Sequence, residues 1–329
     1  MNNTLGFERI YALVLPGRAD RTRPLLNAAK ATNLNLTVLD AIRDKDIAKE
    51  FWPQDWKDDH TTGELGCLVS HVRTWNKMIA QNVSSALIVE SDADWDLRLR
   101  SSMRKLALGV RTLIDWPFEQ PHNAQPYHVQ PYGDSWDIIW TGHCGSSHEG
   151  NTRIYRWNDS SVPPRSKTWV YKPVLTDEQH IFGTRSLFQF GSTTCTTSYA
   201  ISLQGAVKLV NYFKKTNKGL DETMSRVCTT KVDLTCVSVW PQVMMAADTK
   251  SNILHHKGQD IVEGGEIEFK PMDVKPGPSI QYSAWRNARR IIDEGAGRDK
   301  WLPEWYGTWV NRNGKLVFDN TETELNWEE

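Results

Sequence analysis

Residues 86–94, with the sequence ALIVESDAD, decide the fold class of this chain. A short apolar run ends abruptly in three acidic residues at alternate positions, Glu90, Asp92 and Asp94. The run has the length of a buried strand. The carboxyl edge of such strands is where an α/β sheet binds its ligands. Three spaced carboxylates there would offer hard oxygen ligands to a divalent cation. The same pattern also fits a strand followed by a solvated acidic turn.

The flanking sequence predicts an α/β domain around this strand. Residues 9–15 (RIYALVL) predict a buried strand, residues 18–31 a helix and residues 34–39 a second strand. A β-α-β order of this kind predicts parallel pairing through a right-handed crossover. The clearest helix covers residues 64–80, where apolar residues recur at three- or four-residue steps. We therefore expect a mostly parallel sheet with helices on both faces.

The second half of the chain is less regular. Residues 136–141 predict another buried strand, whereas residues 142–185 are polar and predict an inserted loop over the active face. The periodic pattern fades after about residue 256. We predict one elaborated domain over residues 1–256, followed by a C-terminal extension, 257–329, that packs back on it.

Charge and apolar content limit the possible partners. The formal net charge is −1, which argues against a nucleic-acid partner held by a basic field. No run approaches the ~20 apolar residues that span a bilayer, and the first residues lack a signal-peptide pattern. The chain is thus either cytoplasmic or a lumenal fragment, with membrane contact only through an anchor absent from it.

The five cysteines favour the lumenal alternative. Cys228 and Cys236 are close enough in sequence to bridge a small loop, and Cys144 and Cys195 flank the inserted loop. Cys67 lies within the predicted helix 64–80 and is expected to be free. An even set of four plus one buried thiol suits a secreted domain. We expect two disulfides and a place in the secretory pathway.

Several segments, taken in order, resemble glycosyltransferase family 25, the lipooligosaccharide and collagen galactosyltransferase type, in its fungal branch. They are YALVLPGRADR at 11–21, GELGCLVSH at 63–71, WDIIWTG at 136–142 and SYAIS at 198–202, with the strand that ends in Glu90. One departure concerns Ser91, which stands where the family has an acid in its Glu-Asp-Asp motif.

The resemblance implies a GT-A-like fold and a transferase reaction. The enzyme would move a hexose, most often galactose, from a UDP-sugar donor to a hydroxyl of a glycan or glycoprotein acceptor, with inversion. It implies a divalent cation, Mn²⁺ first, and a lumenal location, the Golgi first. Asp92 and Asp94 are the metal candidates, and His255 would complete the metal shell. The alternative for His255 is a surface position, which is the more common one for a histidine pair in a loop.

Four residues are candidates for binding the donor. Arg18 directly follows the first strand and could pair with a diphosphate, and Asp40 ends the second strand, where an acid can bind ribose or simply form a turn. Glu90 could bind ribose hydroxyls. The spacing of His71 fits a core histidine, but the family motif points to the donor site.

Asp221 is the candidate general base. It starts a predicted helix, from which a carboxylate could deprotonate an acceptor hydroxyl. A first-turn acid favoured by the helix dipole is the alternative interpretation. A different function also stays open: a non-catalytic carbohydrate-binding relative that kept the fold, which the loss of an acid at Ser91 would explain.

Overall fold

The computed structural model describes residues 1–53, 56, 60–115, 130–148, 152–163, 183–214, 216, 218–230, 234–247, 280–301, 308–312 and 315–319. Within them, an eight-stranded sheet forms the centre of the molecule. In spatial order its strands are β2 (Thr37–Asp40), β1 (Arg9–Val14), β3 (Ser85–Glu90), β10 (Ser198–Ser202), β5 (Ile138–Gly142), β11 (Cys236–Trp240), β8 (Thr184–Phe188) and β7 (Ile154–Asn158).

Most strands of this sheet share one direction. β1 pairs in parallel with both β2 and β3, and β5 pairs in parallel with β11. β10 and β8 run against their neighbours, so six of the eight strands point the same way. The prediction of a mostly parallel α/β sheet flanked by helices is confirmed. The antiparallel position of β10 between β3 and β5 brings the segment that precedes β10 to the carboxyl end of β3.

In the part of the chain that the structure describes, six helices flank the sheet: α1 (Ala19–Ala31), α2 (Thr62–Ala80), α3 (Leu99–Val110), α4 (Leu203–Phe213), α5 (Leu220–Thr229) and α6 (Ala284–Glu294). A π-helical turn, Arg111–Asp115, follows α3, and short 3₁₀ turns cover Asp44–Asp46, Lys49–Phe51 and Arg298–Lys300. Three small antiparallel pairs complete the described part: β4 (Ala93–Trp95) with β12 (Met244–Ala246), β6 (Gly145–His148) with β9 (Phe190–Thr194), and β13 (Thr308–Arg312) with β14 (Lys315–Asp319).

The central strands of the sheet are buried on both faces, as their continuous apolar runs require, whereas the edge strand β2 is largely exposed. In β3, Leu87 and Val89 join one core cluster with residues of α1, α3 and α6. Ala86 and Ile88 point the opposite way, into a second cluster with residues of α2, α4 and α5. Strand alternation therefore divides one apolar run between two cores, and only the end of β3 is left for polar residues.

Helix α2 is fixed at its start and along one side. Thr61 and Glu64 form a capping box, in which each side chain accepts a hydrogen bond from the other's backbone N–H, at 3.2 and 2.6 Å. A Cβ added at Gly66 would lie 2.8 Å from the Ile42 carbonyl oxygen, so glycine allows close approach to the segment after β2. Ser70 Oγ accepts the Ile42 N–H at 2.7 Å. These contacts hold the face of α2 that carries Cys67 and His71.

The inserted segment is more structured than expected. Residues 142–185 contain β6 and β7 and the start of β8, whereas the sequence predicted a loop; residues 149–151 and 164–182 lie outside the described part. The strands of this segment pair with β8 and β9, which follow it in the chain. Such strand pairing depends on residues that are distant in the sequence, so the polar composition of this segment did not predict it.

The described part of the C-terminal extension joins the domain. α6 packs against α1 and β4, and its Ala284 and Trp285 are buried in the same core cluster as β3. The domain boundary predicted at residue 256 lies outside the described residues. Among those that are described, no helix combines the length and apolarity needed to cross a bilayer.

Both expected disulfides are present. Cys144 pairs with Cys195, and Cys228 pairs with Cys236, while Cys67 is free. The first bridge ties Cys144, directly before β6, to Cys195, directly after β9 and close to the start of β10. This bridge fixes the segment that crosses the carboxyl end of β3.

Candidate functional site

The candidate site lies where β3 ends. Glu90 is the last residue of β3, opposite Leu13 of β1, and Asp40 ends β2 opposite Val14 at the same edge of the sheet. Helices α1 and α2 and the segment between β9 and β10 supply the other side chains. The carboxyl edge of the parallel strands is therefore where the predicted acids gather, as expected for this class of sheet.

Glu90 is held by the segment that enters β10. Its backbone N–H donates to the Thr197 carbonyl at 3.0 Å, and its Oε1 accepts the Thr196 hydroxyl at 2.6 Å. Burial and the neighbouring charge of Asp92 raise the pKa of Glu90 to about 7, although the Thr196 hydrogen bond acts against this. Near neutral pH this carboxyl group can therefore gain or lose a proton.

Asp92 offers a free carboxylate oxygen. Its Oδ2 lies 3.0 Å from Nη1 of Arg21, and its side chain is 15% exposed. Its Oδ1 is buried and has no hydrogen-bond partner among the described residues. An unpaired buried carboxylate oxygen is costly unless another group meets it. A hard divalent cation is such a group, so Asp92 fits the predicted role of ligand, with Arg21 balancing the other oxygen.

His71 is a neutral, fixed side chain beneath Glu90. Its Nδ1 lies 2.7 Å from the Tyr199 hydroxyl, which also accepts the Trp75 indole N–H at 2.9 Å. Burial lowers the pKa of His71 to about 3, so the ring is neutral. Its Nε2 lies 3.8 Å from Oε1 of Glu90. The structure thus brings His71 to the site but leaves the side chain only 1% exposed.

Asp221 lies in the first turn of α5 and binds the backbone at Cys195, in the segment between β9 and β10. Its Oδ2 accepts the Cys195 N–H and its Oδ1 accepts the Glu222 N–H, both at 2.8 Å. The Trp140 indole N–H donates to the Cys195 carbonyl at 2.8 Å. Thr196, the residue after Cys195, donates to Glu90, so Asp221 and Glu90 both contact this short segment.

Asp94 is turned away from this group. It is fully buried, and its carboxylate accepts the Ser283 hydroxyl, the Trp285 N–H at 3.1 Å and its neighbour Trp95 N–H at 2.7 Å. It therefore caps the start of α6. Burial raises its pKa to about 7, against the effect of these hydrogen bonds. These contacts explain Asp94 as a structural acid, whereas its role as a metal ligand stays a prediction.

The remaining predicted residues differ in their placement. Arg18 precedes α1 and makes a two-point pair with Asp20, at 2.8 and 2.6 Å. Asp40 is exposed at the end of β2. His255 lies outside the described residues. Of the eight candidates, Glu90, Asp92, His71 and Asp221 come together.

Sequence reasoning missed two members of the site. The charge of Arg21 alone would favour a position on the helix surface, yet the residue is 8% exposed and pairs with Asp92. Its spacing from Leu25 and Ala28, which are buried on the same helix, was the available signal. Thr196 follows Cys195 in a segment without periodicity, so nothing local marked it as the partner of Glu90.

The sheet and the acids at its carboxyl edge define an α/β protein of the Rossmann-like GT-A class. Comparison with known proteins then shows which family part of the chain is similar to. Residues 7–114 match the sequence model of glycosyltransferase family 25 (LPS biosynthesis protein), a stretch that runs from β1 through α3. The expected relationship of the chain to glycosyltransferase family 25 is confirmed.

Individual relatives are similar at low identity. A glycosyltransferase 25 family member of Aedes aegypti is 22% identical over 218 residues, 63% of this chain and 28% of that protein. Procollagen galactosyltransferase 1 of Danio rerio is 22% identical over 218 residues, 63% of this chain and 29% of that protein. The human inactive glycosyltransferase 25 family member 3 is 22% identical over 219 residues, with coverages of 63% and 29%. The chain therefore spans less than a third of the length of these relatives.

Proposed function

We propose that this protein is a metal-dependent inverting glycosyltransferase that moves a hexose, galactose first, from a UDP-sugar to a glycan or glycoprotein hydroxyl. The match of residues 7–114 to the family model supports a glycosyltransferase, and the name of the Danio rerio relative supports galactose. The observation that carries the metal dependence is the buried, unpartnered Oδ1 of Asp92 at the end of β3.

In this proposal Asp92 holds the cation and Arg21 keeps the Asp92 carboxylate in place through its other oxygen. When bound, Mn²⁺ would supply positive charge against the donor diphosphate. Glu90, held by Thr196, is aimed at the donor ribose. Arg18 and Asp40, at the same sheet edge, are proposed further donor contacts, and Arg18 would have to leave Asp20 to reach a diphosphate.

The proposed chemical step uses Asp221 as the base. The carboxylate takes the proton of the acceptor hydroxyl as that oxygen attacks the anomeric carbon, while the bond to the UDP oxygen breaks and its electron pair leaves with UDP. Both Asp221 oxygens already accept a backbone N–H, which fixes the direction of the remaining lone pairs. Glu90 is the competing base, since burial raises its pKa to about 7.

The proposed setting is the secretory pathway, with the Golgi lumen first. The two disulfides support it, because such bridges persist in oxidising compartments. The metal-binding roles of Asp94 and His255 remain predictions. The hydrogen bonds of Asp94 with Ser283 and Trp285 argue against such a role for Asp94.

Calorimetric titration of UDP, with Mn²⁺ and with EDTA, tests the proposal. The wild-type protein should bind UDP only with Mn²⁺, and Asp92→Asn should lose this binding while its circular dichroism is unchanged. Asp293→Asn is the matched control, because Asp293 is an exposed acid on α6. Equal UDP binding by Asp92→Asn and wild type, with the same metal dependence, would refute the role of Asp92.

A non-catalytic carbohydrate-binding protein is the second candidate. Ser91 replaces the family's acid and is 7% exposed, and one similar human protein is named inactive. The same titration separates the two candidates. Binding to a glycan array with no affinity for UDP in either condition would favour the carbohydrate-binding function.

A further inference from the structure

A second metal-ligand group lies beside Asp92, and its chemistry is different. Cys67, His71 and Glu90 each present one ligand atom, and these atoms all lie within 4.8 Å of one another. The set contains a thiol, an imidazole and a carboxylate, which is the donor chemistry of a zinc site. We propose that Cys67, His71 and Glu90 form a binding site for Zn²⁺ or a similar soft divalent cation.

One of the three ligand-atom separations is close to that around a bound ion, and the other two are at most 4.8 Å. Ligand atoms around a tetrahedral zinc lie about 3.3–3.7 Å apart, given bonds of about 2.0–2.3 Å. Nε2 of His71 and Oε1 of Glu90 are already 3.8 Å apart. Cys67 and His71 are four residues apart on α2, so the helix places both on one face. The site therefore needs only small side-chain movements to close on an ion.

The surroundings of His71 match those of a metal-bound histidine. Ligand histidines usually use their second ring nitrogen in a hydrogen bond that fixes the ring. Here Nδ1 lies 2.7 Å from the Tyr199 hydroxyl, which the Trp75 indole N–H holds in turn. Nε2 is left for the cation, and the ring is neutral because burial lowers its pKa to about 3.

The charges also favour a cation. A thiolate, a carboxylate and a neutral imidazole together balance a divalent ion. Burial, Glu90, Asp221 and Asp92 raise the pKa of the Cys67 thiol well above its usual value, so the thiol keeps its proton when no metal is bound. A cation bound to the sulfur would displace this proton.

Ligand softness distinguishes this site from Asp92. Thiolate and imidazole prefer Zn²⁺ and Co²⁺, whereas carboxylate oxygens suit Mn²⁺. Three protein ligands leave a fourth position for water or a bound molecule. The proposal does not depend on sugar transfer, and zinc binding can be measured whether or not the protein is a transferase.

Cobalt titration of the untagged, unreduced protein is the test, because cobalt bound to a thiolate gives a sulfur-to-metal charge-transfer band. Four of the five cysteines are in disulfides, so Cys67 is the only thiol that can give this band. We expect the band in wild type, its loss on adding Zn²⁺, and its absence in Cys67→Ser. Glu90→Gln should weaken cobalt binding by more than about 10-fold.

The Asp92→Asn variant is the matched control and should keep the band. Calorimetry with Zn²⁺ in two buffers of different ionisation enthalpy should show release of about one to two protons. If Cys67→Ser does not fold, thiol labelling of wild type decides: Zn²⁺ should slow the labelling of Cys67. No band in wild type, a band that persists in folded Cys67→Ser, or labelling unaffected by Zn²⁺ would each overturn the proposal.

Discussion

Replacing Asp94 by alanine should destabilise the fold without removing a metal ligand. The side chain is fully buried and accepts three hydrogen bonds, from Ser283 Oγ, Trp285 N and Trp95 N. The first two donors lie at the start of α6, so the variant would lose two hydrogen bonds that join this helix to β4. Without the carboxylate, the donors would remain buried and unpaired.

The size of the effect follows from these contacts. Each donor left unsatisfied costs about 1–3 kcal/mol, and three that share one acceptor do not add fully. We expect Asp94→Ala to lower the free energy of unfolding by about 3–5 kcal/mol, a large fraction of the ~5–15 kcal/mol of a typical domain. With a urea m-value of about 3 kcal/mol/M, the midpoint should fall by about 1–1.7 M.

Urea unfolding followed by circular dichroism measures this midpoint. Asp94→Asn keeps one acceptor oxygen and should show a smaller loss than Asp94→Ala, while Asp293→Ala, an exposed acid on the same helix, should leave the midpoint unchanged. The reasoning is refuted if Asp94→Ala keeps the wild-type midpoint but loses Mn²⁺-dependent UDP binding. That result would make Asp94 the metal ligand that the sequence first indicated.

Three further predictions concern the base, the proton of Glu90 and the disulfides. Asp221→Asn should bind UDP and Mn²⁺ normally yet transfer sugar about 10²–10⁴-fold more slowly; normal turnover in this variant, with loss in Glu222→Gln, would move the base by one residue. Because the raised pKa of Glu90 is about 7, donor binding that needs its ionised form should strengthen as pH rises through about 7. Donor binding by Glu90→Gln should no longer strengthen as pH rises through this range. The same pH dependence in this variant as in wild type would contradict the role of Glu90. The effect of pH on stability has the opposite sign, because the folded state holds the Glu90 proton more tightly than the unfolded state does. This contribution to the free energy of unfolding is complete below about pH 4.5 and is lost as pH rises through about 7. Mass spectrometry of unreduced protein should find both disulfides and one free thiol. Opening a disulfide should lower the free energy of unfolding by about 4 kcal/mol for Cys144–Cys195, with its 51-residue separation, and by about 2.5 kcal/mol for Cys228–Cys236, with its 8-residue separation. Additional free thiols in protein from a secretory host would contradict the two disulfides.

Local patterns predicted the first half of the fold. The apolar runs of β1 and β3 and the helical spacing of α2 depend on near neighbours, and each element forms close to its predicted place. β2 begins at Thr37 rather than residue 34, because the residues before it pair with no neighbouring strand. The short loop of Cys228–Cys236 and the flanking positions of Cys144–Cys195 were also visible in the sequence.

Long-range contacts decided the rest of the site. Asp94 looks like Asp92 in sequence, but its partner Ser283 is 189 residues away, so no local pattern could separate their roles. The pairing of Arg21 with Asp92 and of Thr196 with Glu90 likewise joins different elements. Alternate strand positions suggested one shared metal site, whereas the turn after Glu90 sends Asp92 towards α1 and Asp94 towards α6.

Donor turnover tests the central claim most directly. Release of UDP from a panel of UDP-sugars, with a glycoprotein acceptor, would be measured for wild type, Asp92→Asn and the control Asp293→Asn, each with Mn²⁺ and with EDTA. We predict that wild type and the control release UDP from one UDP-hexose, UDP-galactose first, only with Mn²⁺, and that Asp92→Asn falls to background. Turnover that persists in Asp92→Asn, or no turnover of any UDP-sugar by well-folded wild type, would contradict the account.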